Sequence, residues 1–193
     1  ASFTHLRLLD MSNNRIEHLP AAIAEMSQLT SLELMDNRIT LTPETAQQLA
    51  NLSSLRALSL SGNPLGISPD VSQMPDLHSL DLSNTGISQW PNGLWALPHI
   101  EWANLRNNVM TTIPDAVFEP QWTVGANRST SISGNPFDAP TRDRLIAYSA
   151  SGHSDFGYGP TIAHSFNLLT LNAEVQTTAN DVSPWLPSDA SPA

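Results

Sequence analysis

An eleven-residue pattern recurs six times in the first 137 residues, and it constrains the fold more than any other feature of the chain. Its clearest copies are LRLLDMSNNRI (6–16) and LRALSLSGNPL (55–65), which fit LxxLxLxxNxL. The other copies are LTSLELMDNRI (29–39), LHSLDLSNTGI (77–87), IEWANLRNNVM (100–110) and the weaker NRSTSISGNPF (127–137). Steps of 23, 26, 22, 23 and 27 residues separate successive copies. Self-similarity at a nearly fixed period indicates stacked repeats.

This spacing of leucine and asparagine is typical of leucine-rich repeats. Within each copy, apolar residues alternate with polar ones, as at Leu32 and Leu34, which is the period of a half-buried strand. The sequence therefore predicts an α/β fold, a leucine-rich-repeat solenoid of about six coils. Parallel strands would line its concave face, and short helices, 3₁₀ turns and loops its convex face.

An asparagine follows each strand in five of the six copies. These residues, Asn14, Asn37, Asn63, Asn108 and Asn135, are predicted to form a structural ladder. An amide carries two donors and an acceptor, so a buried one can satisfy backbone groups of adjacent coils. The fourth copy has Thr85 at this position, and we expect a weaker joint there.

The return limbs also carry a pattern. Pairs such as Leu19-Pro20, Trp90-Pro91 and Ile113-Pro114 precede apolar residues spaced by three, which predicts short 3₁₀ turns. The second limb is longer. There, Thr42 is expected to cap a helix that begins at Pro43 and runs through Leu49.

The solenoid is predicted to span residues 1–148 and to end in a capping helix with Thr141 as its N-cap. That helix should bury Leu145, Ile146 and Tyr148. Residues 149–193 are expected to form an irregular extension and linker, with 152–159 a loop by composition. The chain opens already in repeat register, and we interpret it as a segment of a longer protein.

Composition restricts the partners. The formal net charge of -10 argues against nucleic acid and against an anionic membrane surface, and favours a basic or neutral protein. Without cysteine, neither disulfides nor thiolate chemistry is available. All eight basic residues are arginine. We expect no cofactor, no metal, no membrane span and a monomer.

The concave face is the predicted partner-binding surface. Its best candidate is Trp102, since an exposed aromatic among polar neighbours is a common interface anchor. The further candidates are Arg106, Asn104, Glu101, His78 and Met35, with Asp10, Glu33 and Asp81 as an acidic stripe. Two alternatives stay open: the C-terminal segment covers Trp102, or the acidic stripe is an ordinary solvated face.

No catalytic constellation emerges. His153, Asp155 and His164 match no ligand or acid–base spacing, and Ser151 lacks the strand-to-helix context of a nucleophile elbow. A hydrolase built on His153 would require turnover that the change of His153 to alanine abolishes. Binding is therefore the default function.

One stretch resembles a known family. SLSGNPLGISPDVSQMPDLHSLDLSNTGISQWPNGL (59–94), LRNNVMTTIP and SISGNPF are similar to the repeat region of large bacterial effectors that carry a NEL-type ubiquitin-ligase domain, especially toxin-like members of pseudomonads and relatives. VSPWLP (182–187) resembles the junction before that domain. The family's catalytic cysteine has no counterpart in this chain.

The resemblance implies a protein-recognition segment that selects the substrate, a host protein, of a secreted ubiquitin ligase. It implies secretion into the host cell cytoplasm, with the bacterial cytoplasm as the alternative. The absence of lysine would then limit self-modification. The alternative function is a free-standing scaffold or receptor-like repeat domain with no ligase attached.

Overall fold

The computed structural model describes residues 5–119, 129–153 and 156–157. The chain divides into two compact units, residues 1–158 and 159–193, and the second lies outside the described residues. The predicted linker and nearly all of the predicted extension therefore also lie outside them. The division expected at residue 148 stays a prediction.

Six short strands form one parallel sheet in sequence order. They are β1 (Leu8–Asp10), β2 (Ser31–Glu33), β3 (Ala57–Ser59), β4 (Ser79–Asp81), β5 (Trp102–Asn104) and β6 (Thr130–Ser131). The register places Leu9, Leu32, Leu58, Leu80, Ala103 and Thr130 in one row across the sheet. These are the equivalent positions of the six sequence copies, so the predicted solenoid and its repeat register are confirmed.

The inward-facing rows form the core. Leu32, Leu58 and Leu80 are each at most 1% exposed, and burying a leucine side chain contributes about 1.5–3 kcal/mol. On the first coil, Leu9 and Met11 occupy the positions that Leu32 and Leu34 occupy on the second. Leu9 is only half-buried and Met11 remains 37% exposed, because among the described residues only the second coil packs on them.

The asparagine ladder joins consecutive coils through the backbone. The Asn63 amide nitrogen donates to the carbonyl oxygens of Leu34 (2.8 Å) and Leu60 (2.9 Å), and its oxygen accepts from the Ile39 nitrogen (3.0 Å). Asn37, Asn108 and Asn135 bridge the coils in the same way. Each bridge provides hydrogen-bond partners for backbone groups that would otherwise be buried without them.

The ladder changes at Thr85. Its hydroxyl donates to Leu82 in its own coil (2.8 Å) and to the Asn108 oxygen (2.9 Å). In the described structure, the Thr85 side chain makes no hydrogen bond back to the third coil. There, the Leu65 nitrogen instead donates to the Thr85 carbonyl oxygen at 3.1 Å. The joint between the third and fourth coils thus lacks the amide bridge, as the sequence predicts.

One residue before each ladder position, the backbone is left-handed. Its φ lies between 53° and 77° at Asn13, Asp36, Gly62, Asn84, Asn107 and Gly134. Asparagine, aspartate and glycine are the residues that tolerate this region. A Cβ atom at either glycine would collide with the side chain of the preceding coil, Asp36 at Gly62 and Asn107 at Gly134.

The convex limbs follow the expected pattern. Three 3₁₀ helices span Ala21–Glu25, Leu94–Ala96 and Asp115–Phe118, and helix α1 spans Pro43–Ala50. Thr42 caps α1, because its hydroxyl accepts from the Thr45 nitrogen at 3.2 Å while Thr45 bonds back to the Thr42 nitrogen. The predicted start of this helix is confirmed, and it ends one residue later than expected.

The capping helix differs from the prediction in two respects. Helix α2 spans Ala139–Ala150, and its N-cap is Asp138, whose carboxylate accepts from the Thr141 nitrogen at 2.9 Å. The expected cap, Thr141, was wrong because the helix already begins two residues before it, at Ala139. The Thr141 nitrogen is itself the donor to Asp138, so Thr141 is the third residue of the helix and lies inside its first turn. Ile146 is 38% exposed rather than buried, whereas Leu145 is buried.

Aromatic side chains close the C-terminal end of the solenoid. Phe118 lies edge-on to Tyr148 and Phe156, and Tyr148 stacks on both Phe156 and His153. Phe156 is completely buried, and its carbonyl oxygen accepts from the Ile132 nitrogen at 3.1 Å. It takes the place of a seventh strand at the edge of β6, which the interpretation of residues 152–159 as a loop does not anticipate. We call this end of the solenoid the C-terminal cap. It consists of the aromatic residues Phe118, Tyr148, His153 and Phe156 and of the neighbouring residues Asp115, Phe137, Arg142 and Arg144.

Candidate partner-binding face

Side chains along each strand alternate between the two faces of the sheet, so every second residue points to the concave side. The middle row consists of Asp10, Glu33, Ser59, Asp81, Asn104 and Ser131, in register across the six strands. Successive side chains of a strand point to opposite faces, so this row faces away from the leucine core. Neighbouring positions in the row are about 4.8 Å apart.

A depression of about 230 Å³ lies in the centre of this face, and we call it the acidic groove. It is lined by Glu33, Met35, Leu58, Ser59, Ser79, Asp81 and Trp102. Three of its residues, Glu33, Ser59 and Asp81, are consecutive members of the middle row. Trp102 stands beside Ser79 in the adjacent row and forms the wall towards the fifth coil.

The two carboxylates of the groove are held differently. Asp81 is oriented by Ser83, whose backbone nitrogen (2.9 Å) and hydroxyl (2.7 Å) both donate to its Oδ1. Glu33 receives one weak bond from the Ser31 hydroxyl at 3.3 Å. Burial raises the pKa of Glu33, and the charges of Asp10 and Asp81 raise that pKa further. The groove therefore carries negative charge that its surroundings do not compensate.

Ser59 lies between these carboxylates and is 6% exposed. Its hydroxyl oxygen has no hydrogen-bond partner among the described residues. Leaving a buried hydroxyl unpaired costs about 1–3 kcal/mol. The position of Ser59 between two acids could have been read from the repeat register, but a small residue in that row carries no signal on its own.

Trp102 is 41% exposed, so the structure places an indole at the surface where the sequence predicts one. Its predicted neighbours lie apart from the groove. Asn104 accepts from the Arg106 backbone nitrogen (3.3 Å) further along the coil. His78 stacks on His99 at 5.7 Å, and Glu101 is the exposed residue preceding β5.

Of the nine predicted contact residues, the groove brings together Glu33, Met35, Asp81 and Trp102. Asp10 lies one strand beyond Glu33. The hydrogen bond from the Ser12 backbone nitrogen (3.0 Å) lowers the pKa of Asp10, so this carboxyl stays charged to lower pH than Glu33. The acidic stripe is thus continuous in space across the first two coils and is interrupted by Ser59 in the third.

The described residues contain no cluster of three or more histidine, aspartate or glutamate side chains placed to hold a metal ion. His153 stacks on Tyr148 at 4.3 Å, and the two residues considered with it, Asp155 and His164, lie outside the described residues. None of the described helices has the length and apolarity required to cross a bilayer.

Comparison with known proteins supports the same architecture. Family models described as leucine rich repeat match residues 1–39 and 54–74. Human oligodendrocyte-myelin glycoprotein is 35% identical over an alignment of 140 residues, gaps included, that covers 61% of this chain and 31% of that protein. The chain thus spans less than a third of the length of this relative.

Two solved structures share the fold. Internalin C2 from Listeria monocytogenes aligns with a TM-score of 0.53 and 27% identity, over 68% of this chain and 54% of that one. The leucine-rich-repeat ectodomain of the Arabidopsis receptor kinase HAESA aligns with a TM-score of 0.54 and 25% identity, over 67% of this chain and 22% of that one. The HAESA ectodomain was solved in complex with an N-terminally extended IDA peptide hormone.

Proposed function

Because the chain is a leucine-rich-repeat solenoid, we propose that it is a protein-recognition module that binds its partner through the concave face, with the acidic groove at the centre. Repeats of this kind are typical of protein-interaction modules. One observation carries the proposal: an exposed indole, Trp102, borders carboxylates whose charge nothing in the described chain neutralises. The one ion pair among the described residues, Arg144 with Asp115, lies in the C-terminal cap.

The electrostatics favour a partner with a basic contact surface. The formal net charge of -10 attracts such a surface from a distance, and the groove concentrates negative charge at the point of contact. Complementary charge of this kind raises the association rate and discriminates against acidic proteins.

We further propose that the parent protein is a bacterial ubiquitin ligase of the NEL type, secreted into the host cytoplasm, in which this segment selects the substrate. The support is the resemblance of residues 59–94 and of the SISGNPF phrase, together with the absence of lysine. Lysine is the acceptor of ubiquitin, so a lysine-free segment escapes modification by its own ligase.

A free-standing receptor-like repeat domain is the second candidate. The observation that favours it is the similarity to the HAESA ectodomain, a repeat domain that binds a peptide hormone. In that case the concave face would bind a peptide, and no ubiquitin transfer would accompany binding.

Proximity labelling with this chain as bait tests the recognition proposal. The bait is compared with two variants, Trp102→Ala in the groove and Val109→Ala, an exposed apolar residue outside it. A partner of the concave face should no longer be labelled by the Trp102→Ala bait and should still be labelled by the Val109→Ala bait. In a direct titration, Trp102→Ala should weaken the binding free energy by about 2 kcal/mol or more. Equal labelling by all three proteins would contradict the proposal.

The ligase proposal has a separate test. The full-length parent is incubated with ubiquitin, activating and conjugating enzymes and the captured partner. Modification of the partner that Trp102→Ala abolishes supports it, whereas a parent that binds the partner without transferring ubiquitin supports the second candidate. Lysines introduced at exposed concave positions should raise self-ubiquitination, and the lysine argument is wrong if they do not.

A further inference from the structure

We propose that Glu33, Ser59, Asp81 and Trp102 form a binding site for an arginine side chain of the partner protein. This inference rests on the proposed function and adds the chemistry of the contact. The first three residues lie side by side on β2, β3 and β4, and the indole stands on β5. All four line one depression of about 230 Å³.

The polar groups of this site select a ligand that donates hydrogen bonds. Two carboxylates present acceptors only, and the Ser59 hydroxyl between them can accept as well. Asp81 is fixed in place by its two bonds from Ser83 and thus needs no reorganisation to meet a ligand. A ligand rich in N–H groups and carrying positive charge satisfies all three.

The state of Ser59 shows that the site is incomplete. Its side chain is more than nine-tenths buried, it lines the groove, and its oxygen bonds to no described residue. A hydroxyl buried in this way is normally paired. The oxygen itself has almost no solvent-accessible surface, so a donor that enters between Glu33 and Asp81 would pair with it after a small movement of the groove walls and would then remove the desolvation cost.

The geometry favours arginine over lysine. Glu33 and Asp81 are two strand spacings apart, about 10 Å between Cα atoms, with Ser59 midway. A guanidinium presents five donors in a plane and can contact acceptors on both sides, whereas an ammonium is a compact point charge. The exposed indole of Trp102 offers a flat face to that plane, and tryptophan is the best aromatic partner of a cation.

The test uses the full 193-residue chain labelled with 5-fluorotryptophan, in which the change of Trp102 to phenylalanine assigns one of the five tryptophan signals. The probe is a blocked glycine–arginine–glycine peptide, compared with the same peptide carrying lysine or citrulline. Citrulline keeps the shape of arginine and removes its charge. The arginine peptide should shift the Trp102 signal saturably, and the citrulline peptide should bind at least about tenfold more weakly.

Charge-matched variants separate a local site from general attraction. Glu33→Gln combined with Asp81→Asn removes two charges from the groove, and Glu25→Gln combined with Asp143→Asn removes two from exposed positions outside it. The first pair should weaken arginine-peptide binding at least about tenfold, and the second by less than about twofold. Ser59→Ala should weaken it by about three- to tenfold.

The inference would be overturned by no saturable shift with the arginine peptide, by equal binding of the citrulline peptide, or by equal weakening by both charge-matched pairs. A lysine peptide that binds as tightly as arginine would also overturn it, since the argument from planarity would then be wrong. None of these results bears on partner capture by the concave face, which Trp102→Ala tests on its own.

Discussion

The acidic groove and the C-terminal cap contain similar residue types and use them in opposite ways. In the cap, Arg144 pairs with Asp115 and lies 4.2 Å over the Phe118 ring, while Arg142 donates to the Phe137 carbonyl oxygen at 2.7 Å. Charges and aromatic rings there are satisfied within the chain.

In the groove, the corresponding groups face outward. Among the described residues, Glu33 and Asp81 have no basic partner and the Ser59 hydroxyl is unpaired, while Trp102 is 41% exposed. The difference separates a surface that closes a fold from one that receives another molecule. It also predicts that mutations in the C-terminal cap lower stability more than binding, whereas mutations in the groove lower binding more than stability.

The largest effect should come from the cap. Phe156→Ala removes a completely buried ring at the open edge of β6 and should lower the free energy of unfolding by about 3–5 kcal/mol. Urea unfolding followed by circular dichroism measures this change. Ile146→Ala, an exposed position on α2, is the control and should cost at most about 0.5 kcal/mol. Similar losses for both would mean that Phe156 does not seal the solenoid.

A second prediction compares two polar groups of the third coil, the coil that forms the groove floor. Asn63→Ala strips partners from the buried Leu34, Leu60 and Ile39 backbone groups and should cost about 2–3 kcal/mol in urea unfolding. Its first-coil equivalent Asn14 is exposed and, within the described part of the chain, its side chain bonds to the Met11 and Ser12 carbonyl oxygens of its own coil, so Asn14→Ala should cost about 1 kcal/mol or less. Equal costs would contradict the inter-coil role of the ladder.

In the same coil, a mutation at Ser59 should not lower the free energy of unfolding as Asn63→Ala does. Ser59→Ala removes an unpaired buried hydroxyl and should leave stability unchanged or raise it by up to about 1 kcal/mol. Ser83→Ala removes a buried hydroxyl that donates to Asp81 and should lower it by about 1 kcal/mol. A clear loss of stability with Ser59→Ala would show that its hydroxyl already has a partner.

The smallest effect concerns pH. The pKa of Glu33 is raised above its ordinary value of 4.5 by burial and by Asp10 and Asp81, so the folded state holds this proton more tightly than the unfolded chain. Its favourable contribution is therefore present below pH 4.5 and is lost as pH rises through the raised pKa. Glu33→Gln should gain stability relative to the wild type over that window, by a few tenths of a kcal/mol because the side chain is only half-buried. Thermal unfolding at pH 4 and pH 7 measures this difference, and a relative loss of stability would contradict it.

The architecture could be predicted from the sequence because the period of the repeat is sufficient to determine it. Leucine spacing determined the strand register, and the asparagine positions determined the ladder, including the altered joint at Thr85. Features that depend on local competition or on long-range packing were missed. Asp138 rather than Thr141 caps α2, and Phe156 filled the end of the core from a segment whose glycine and serine content predicts a loop.

The candidate site was predictable only in part. Trp102 and the acids could be assigned to the concave face by counting within each repeat, since that face is set by strand alternation. Which of them share a depression depends on curvature and side-chain length, so Arg106 and Asn104 were grouped with Trp102 although they lie outside the groove. Nothing in the sequence indicates that the Ser59 hydroxyl is unpaired, because this depends on which polar groups of other coils lie near it in space.

The left-handed turns limit how this solenoid could be lengthened or rearranged. Asp36 leans over Gly62 and Asn107 over Gly134, so each glycine is matched to the side chain on the coil before it. These two pairs of coils are therefore fitted to each other, and a side chain in place of either glycine would meet Asp36 or Asn107 in the same space. Engineers who wish to extend the array should copy the second and third coils together as one cassette.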